Sequence, residues 1–260
     1  MNILGVEYIY GCTQSTGGEL WVLGKDPELF DYFLPERWEK EMRTKLSAFR
    51  EVYHTVTKDN INLVWKISNV GVIPAMDPFK NDERDIIEFG YNSPFEEVAL
   101  AIKLDNGGIL TTYPRAIYRI GIQTEISGSL FDNQRYETHK HLVAPDGKPI
   151  LKSNHNYIII WGYWNGPDDM LAARDAGYVE GVDALRAWRE GIITEEEYLA
   201  LMKHNKERLS DLKIEDLNLR GTHILLSRQS STGKLIRNQD GCPVPRICNF
   251  ELLRMSDGIY

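Results

Sequence analysis

Apolar and polar positions alternate most clearly between Ile117 and Trp164, and the rest of the chain is read around that stretch. Ile117–Ile126 is IYRIGIQTEI. Tyr118, Ile120, Ile122, Thr124 and Ile126 share one parity, while Arg119, Gln123 and Glu125 share the other. A period of two predicts a strand with one apolar and one polar face. RYETHKHLV, from Arg135 to Val143, predicts a second strand with Arg135, Glu137, His139 and His141 along one face. Asp146-Gly147 is a hairpin turn signal. Beyond it Tyr157–Trp161 is apolar without interruption, which predicts a central strand covered on both sides.

Elsewhere the pattern changes period. Ile3–Tyr10 and Glu19–Leu23 read as a hairpin. Between Asp26 and Val56, Phe30, Leu34, Trp38, Met42, Leu46, Phe49, Tyr53 and Val56 recur every three or four residues. That spacing predicts one long helix whose body is Glu36–Val56. Asn62–Ile73 and the short Ile86–Phe89 read as strands. Val98–Leu104 and Ile109–Tyr113 flank Asp105-Asn106-Gly107-Gly108 and read as a hairpin. After Gly166-Pro167 the character turns helical over Asp168–Leu219. Val182, Leu185 and Trp188 form one apolar edge there, and Tyr198, Leu201, Met202 and Leu209 form another. Thr194 with Glu197 three residues on is a capping box. Thr222–Arg228 and Leu235–Arg237 return to strand, and Pro243 and Pro245 put the last segment at a sheet edge.

The expected fold is therefore α+β. A mainly antiparallel sheet, able to curl into a half-barrel, is packed by one long N-terminal helix and a later helical hairpin. Residues 1–166 would form the sheet with the long helix, 167–220 a helical insertion, and 221–260 the returning strands of the same domain.

The 260 residues, 42% hydrophobic and 26% charged, allow an ample core. A formal charge of −8 with no Lys/Arg run argues against nucleic acid and anionic membranes as partners. Cys12, Cys242 and Cys248 make no CxxC pair, which predicts a reducing compartment without a disulfide framework. The N-terminus lacks a positive, then apolar, leader pattern. No apolar run approaches the ~20 residues of a membrane span. The expectation is a cytoplasmic protein with a small-molecule ligand.

Candidate chemistry centres on His139-Lys140-His141. Two imidazoles at i, i+2 on a strand can chelate one divalent metal, with Glu125, Glu137 or His155 as the third ligand. The hairpin register decides whether His155 shares their face. The HxH is similar to the cupin pattern, but Leu142–Pro145 stands where that pattern has a glutamate. Without metal, His139 and His141 can serve as acid and base with Glu125 or Glu137. Arg119 can clamp an anion, and Gln123, Tyr157 and Trp161 can line the substrate. The loop GCTQSTGG lacks the Gly-Lys-Ser/Thr ending of a phosphate cradle, and no GxSxG, HExxH or GxGxxG is present.

DALRAWREGIITEEEYLALMKHNKERL resembles the short GIITEEEF-type helical hairpin at the ends of many bacterial proteins. That resemblance implies packing or self-association. Two functions follow from the sequence. One is an enzyme, a lyase or hydrolase, acting on a small acid through His and Glu. The other is a non-catalytic binding or assembly protein, a homo-oligomer joined through the 168–219 helices.

Overall fold

A computed structural model describes residues 1–48, 50–124, 131–162, 179–229 and 232–256. Its main element is an antiparallel sheet of eight strands. These are β1 (Asn2–Ile3), β2 (Val6–Cys12), β3 (Glu19–Leu23), β4 (Arg43–Lys45), β5 (Val52–Val56), β6 (Asn62–Ile67), β7 (Pro114–Gln123) and β8 (His155–Gly162). Their order is β1-β2-β3-β7-β8-β6-β5-β4, open at β1 and β4. Two three-stranded meanders thus flank a central pair, β7 and β8. The expected β2–β3 hairpin is present, with Tyr10 opposite Trp21 and Cys12 opposite Glu19.

Both faces of this sheet are covered, which is why Tyr157–Trp161 is buried throughout. On one face Trp21, Ile117, Tyr157, Ile159 and Trp161 pack against Phe95, Val98, Leu100 and Leu104. Those four belong to α2 (Pro94–Asn106). On the other face Leu20, Val22, Leu63, Trp65, Tyr118, Ile158 and Ile160 pack against Phe33 and Trp38.

Phe33 and Trp38 correct the expected N-terminal helix. Pro27–Phe33 and Pro35–Arg37 are short 3-10 turns, each opened by its proline. The chain then enters the β4–β5 hairpin. Two residues of the expected stripe, Met42 and Leu46, are 91% and 53% exposed. Pro35 lacks the N–H that a continuing helix needs, and Val52, Thr55 and Val56 favour a strand.

The reverse error lies at α2. Val98, Leu100, Ile102 and Leu104 alternate in the sequence but sit on a helix, capped by Ser93 with Pro94 in its first turn. Val98 to Ala101 are all buried, so this helix is apolar around much of its circumference and period carries little information. Residues 86–89, expected as a strand, end α1 (Asn81–Phe89). The expected strand from Arg135 to Val143 begins as α3 (Gln134–His139).

The later part of the chain adds α4 (Ala184–Arg189) and α5 (Glu195–Asp211), with the predicted Thr194–Glu197 capping box present. Val182, expected on a helix, lies on β9 (Val179–Asp183). Strand β9 joins β11 (Ile224–Gln229) and β12 (Pro245–Ile247) in a three-stranded sheet in which β12, opened by Pro245, is an outer strand, and Ile247 makes a further bridge to Thr111. Helices α4 and α5 bury Ala184, Ala187 and Leu201 on this sheet. β10 (Ile214–Asp216) pairs with β13 (Leu253–Met255). No described helix is long and apolar enough to cross a membrane.

Candidate functional site

An open cleft of about 470 Å³ lies between α1, α3 and β13, lined by Asp85, Glu88, Phe89, Gln134, Arg135, Thr138 and Arg254. Its walls follow from one glycine. Gly90 closes α1 at φ 71°, and a Cβ there would collide with the Asp132 carboxylate that precedes α3. Only glycine permits this backbone and this approach. Asp132 Oδ1 accepts the Gln134 N–H at 2.9 Å, and Gln134 Nε2 donates to Glu88 O at 3.2 Å, so the two helix ends are tied together.

Arg135 forms the floor. Its guanidinium carbon lies 4.6 Å from the Phe89 ring centroid, a cation–π contact. Its Nε is 3.0 Å from Glu96 Oε2, within ion-pair distance but not aligned as a hydrogen bond. Its Nη2 donates to Asn92 Oδ1 at 3.3 Å. Arg254 on the rim pairs with Glu215 at 2.6 Å.

Behind this floor lies His139, 5% exposed. Its Nδ1 is 2.9 Å from Thr138 Oγ1, in the cleft wall. Its Nε2 is 3.3 Å from Ser93 Oγ and 3.6 Å from Glu96 Oε2. Burial lowers its pKa, with Arg135 and His141 adding to the effect, while Glu96 opposes it. The imidazole is thereby biased to neutral, with one ring nitrogen able to accept a proton. Glu96 serves two structures at once. It completes the α2 capping box by accepting the Ser93 N–H at 2.7 Å, and it faces both Arg135 and His139.

Glu97, the next residue, belongs to a separate buried centre. Lys66 Nζ on β6 lies 2.5 Å from Glu97 Oε2 and 3.3 Å from Glu251 Oε1. Asn69 Nδ2 donates to Glu251 at 2.9 Å, and Arg50 covers the group 3.7 Å from the same carboxylate. Burial pushes the Glu97 carboxyl up to about 7, whereas Glu251 is held low by Lys66 and Arg50 against the opposing effect of its own burial.

The chelate expected at His139 and His141 is not formed. His139 ends α3 and His141 lies in the turn beyond it, so the two imidazoles share no strand face. His139 is buried and His141 exposed. His155 lies on β8 opposite Gln123, not opposite Thr138 or His139. Among the described residues no group of three His, Cys, Asp or Glu side chains is arranged to hold a metal ion. Glu137 is exposed and pairs with Lys140 at 3.1 Å, away from His139. Glu125, Tyr163 and Trp164 lie outside the described residues. Trp161 is core, stacked on Phe250 with 5.0 Å between centroids.

A different set of the expected residues does converge. Arg119, Gln123, His155 and Tyr157 lie on the neighbouring strands β7 and β8, with Arg119 opposite Tyr157 and Gln123 opposite His155. Glu19 and Lys152 join them. Glu96 had no counterpart in the sequence reading, although S-P-F-E at 93–96 carries a capping-box signal.

No protein-family model matches the chain, and no curated protein matches it.

Proposed function

We propose that the chain is an enzyme acting on a small acid in the cleft between α1 and α3, with His139 as general base and Arg135 as the anion-binding group. The carrying observation is the contact sequence Thr138–His139–Glu96. One end of the buried imidazole reaches a hydroxyl in the cleft wall, and the other reaches a buried carboxylate. The cleft volume is within the range of small-molecule sites. A carboxylate on the ligand would meet Arg135 and Arg254, and a donor group on it would face Asp85 and Glu88.

The Thr138 hydroxyl has one proton and three acceptors in reach: Gln134 O at 3.1 Å, Arg135 O at 3.3 Å and His139 Nδ1 at 2.9 Å. Moving that proton from the helix carbonyls to the imidazole would make the threonine oxygen a relay between ligand and His139. Glu96 near the far nitrogen would stabilise the imidazolium that results. This is hydrolase or lyase chemistry without a required metal.

The test is a screen of small carboxylic acids by amide chemical-shift mapping. Phe89, Arg135 and Thr138 should move on binding, and Arg254→Gln should weaken it. With a turned-over acid in hand, His139→Gln should abolish the acidic limb of the pH–rate profile, the limb on which an essential base loses activity by taking a proton. A saturating acid that leaves all three amides unmoved would sink the reading.

A further inference from the structure

A second site lies where Arg119, Trp21 and Lys152 meet, apart from the cleft. Period two lines up Cys12, Glu19, Arg119 and Tyr157 across four strands on one face of the sheet. The adjacent row is Tyr10, Trp21, Ile117 and Ile159, largely apolar. Arg119 therefore stands where the apolar core ends, and its side chain is only 5% exposed.

Its bonds are incomplete. Nη2 donates to Glu19, while Nε and Nη1 have no hydrogen-bond partner among the described residues. The indole Nε1 of Trp21, whose side chain is fully buried, also lacks one. The guanidinium carbon is 6.0 Å from the Trp21 ring centroid, so these three donors belong to one neighbourhood. Buried donors without acceptors are uncommon in folded chains.

The charges there do not cancel. Arg119 and Lys152 are two cations facing one carboxylate, since Lys152 Nζ lies 3.8 Å from the same Glu19 oxygen. His155 adds no charge near neutral pH: burial lowers its pKa, and Arg119 and Lys152 lower it further. Lys148 and Asp146 pair with each other at 2.8 Å and cancel. Tyr157 can answer only one of these donors: its Oη accepts the Lys152 N–H at 2.7 Å and donates to Ile150 O at 2.8 Å, which leaves a single lone pair facing Arg119. Among the described residues the remainder is one positive charge, with one spare phenol lone pair for three N–H groups.

We propose that this neighbourhood binds one small monovalent anion, a halide or the carboxylate of a one-carbon acid, held by Arg119 Nε and Nη1 and the Trp21 indole. Charge selects a monoanion over a dianion, because a second negative charge would meet Glu19 without a further cation. Enclosure selects size, because Arg119 and Trp21 are almost wholly covered. The proposal is independent of the cleft and of its chemistry.

The probes are bromide and formate. In crystals soaked with sodium bromide, an anomalous peak is expected within hydrogen-bond distance of Arg119 and Trp21. In solution the melting temperature should rise saturably with sodium bromide or sodium formate, above its response to sodium sulfate at equal ionic strength. Arg119→Lys keeps the charge beside Glu19 but removes two of the three donors, and it should flatten that rise. Trp21→Phe keeps the ring and removes the third donor; it should weaken the response even if Arg119→Lys folds poorly. A bromide peak without a saturable solution response would mean binding at crystal concentration only and would overturn the proposal. So would an ordered water alone at Arg119, or an equal response in wild type and both variants.

Discussion

Glu96 and Glu97 are adjacent in sequence, both buried, and used for opposite ends. Glu96 gains an N–H, a guanidinium and an imidazole as neighbours; Glu97 has the single cation Lys66 and a fully buried carboxyl. Its pKa, pushed up to about 7 by burial, makes it a proton-binding group of the folded state. Folded chains then hold a proton that unfolded chains release as pH rises past the usual carboxylate range. Glu97 therefore contributes most stability in acid, and the contribution is lost as pH rises through about 7. His139 works in the other direction: its lowered pKa gives stability above the ordinary histidine range that is lost in acid. Comparing wild type with Glu97→Gln isolates the first effect. The variant should gain on wild type between pH 5 and pH 8, by up to the order of 3 kcal/mol, in urea unfolding at stepped pH. A parallel pair of curves would show that Glu97 is ionised throughout.

At the scale of elements, α2 sets the geometry of both polar centres because its first turn carries both carboxylates. Its N-terminus is fixed by Ser93, whose Oγ accepts the Glu96 N–H at 3.2 Å and also lies beside His139. Ser93→Ala should cost about 1 kcal/mol through the lost cap and raise amide exchange in the first turn of α2. Gly90→Ala should cost roughly 1–3 kcal/mol, because φ 71° with ψ 179° is a backbone state that side chains resist. It should also displace Asp132 and close the cleft, read as lost chemical-shift response to any acid that wild type binds.

The same capping rule that located α5 at Thr194 and Glu197 was available at Ser93 and Glu96. There it was masked by two stronger-looking local signals: the alternation Val98-x-Leu100-x-Ile102-x-Leu104, and the Asp-Asn-Gly-Gly run behind it. That run in fact ends a helix, since Gly108 carries φ 78° one residue past the cap. Strands β2, β3, β7 and β8 were legible because their burial follows from period or from an unbroken apolar run. Arg119, Gln123 and Tyr157 were legible as strand positions for the same reason, but their pairing across β7 and β8 was not, because the strand expected beside Arg119 was Arg135–Val143. The pairing of His139 with Glu96 was not, because it joins residues 43 apart through a helix that local pattern read as a strand.

For the molecule as a whole, the segment from Pro245 to Met255 acts as a clasp. It adds β12 to the second sheet and β13 to β10, and it stacks Phe250 on Trp161 of the main sheet. Asn92, just before α2, donates to Phe250 O at 2.9 Å and Leu253 O at 2.8 Å. Glu251 brings the clasp to Lys66. Desolvating three charges is costly, and their attraction repays it only while all are present. Glu251→Ala should therefore destabilise by roughly 3 kcal/mol or more, leaving Lys66 against a Glu97 that prefers its proton. The loss should be uneven: hydrogen exchange should quicken first in β10 and β13, the pair that the clasp itself completes, and less in the end of α5, which Arg208 also ties to Gly108 O at 3.1 Å. Replacing Lys66, Glu97 and Glu251 together with Met, Leu and Met should restore most of the stability, because no uncompensated charge then remains buried. If the triple variant is as weak as Glu251→Ala, the clasp depends on ionic contact itself. If it is as stable as wild type but exchanges rapidly in β10 and β13, the ion group specifies how the clasp docks rather than how tightly the chain folds.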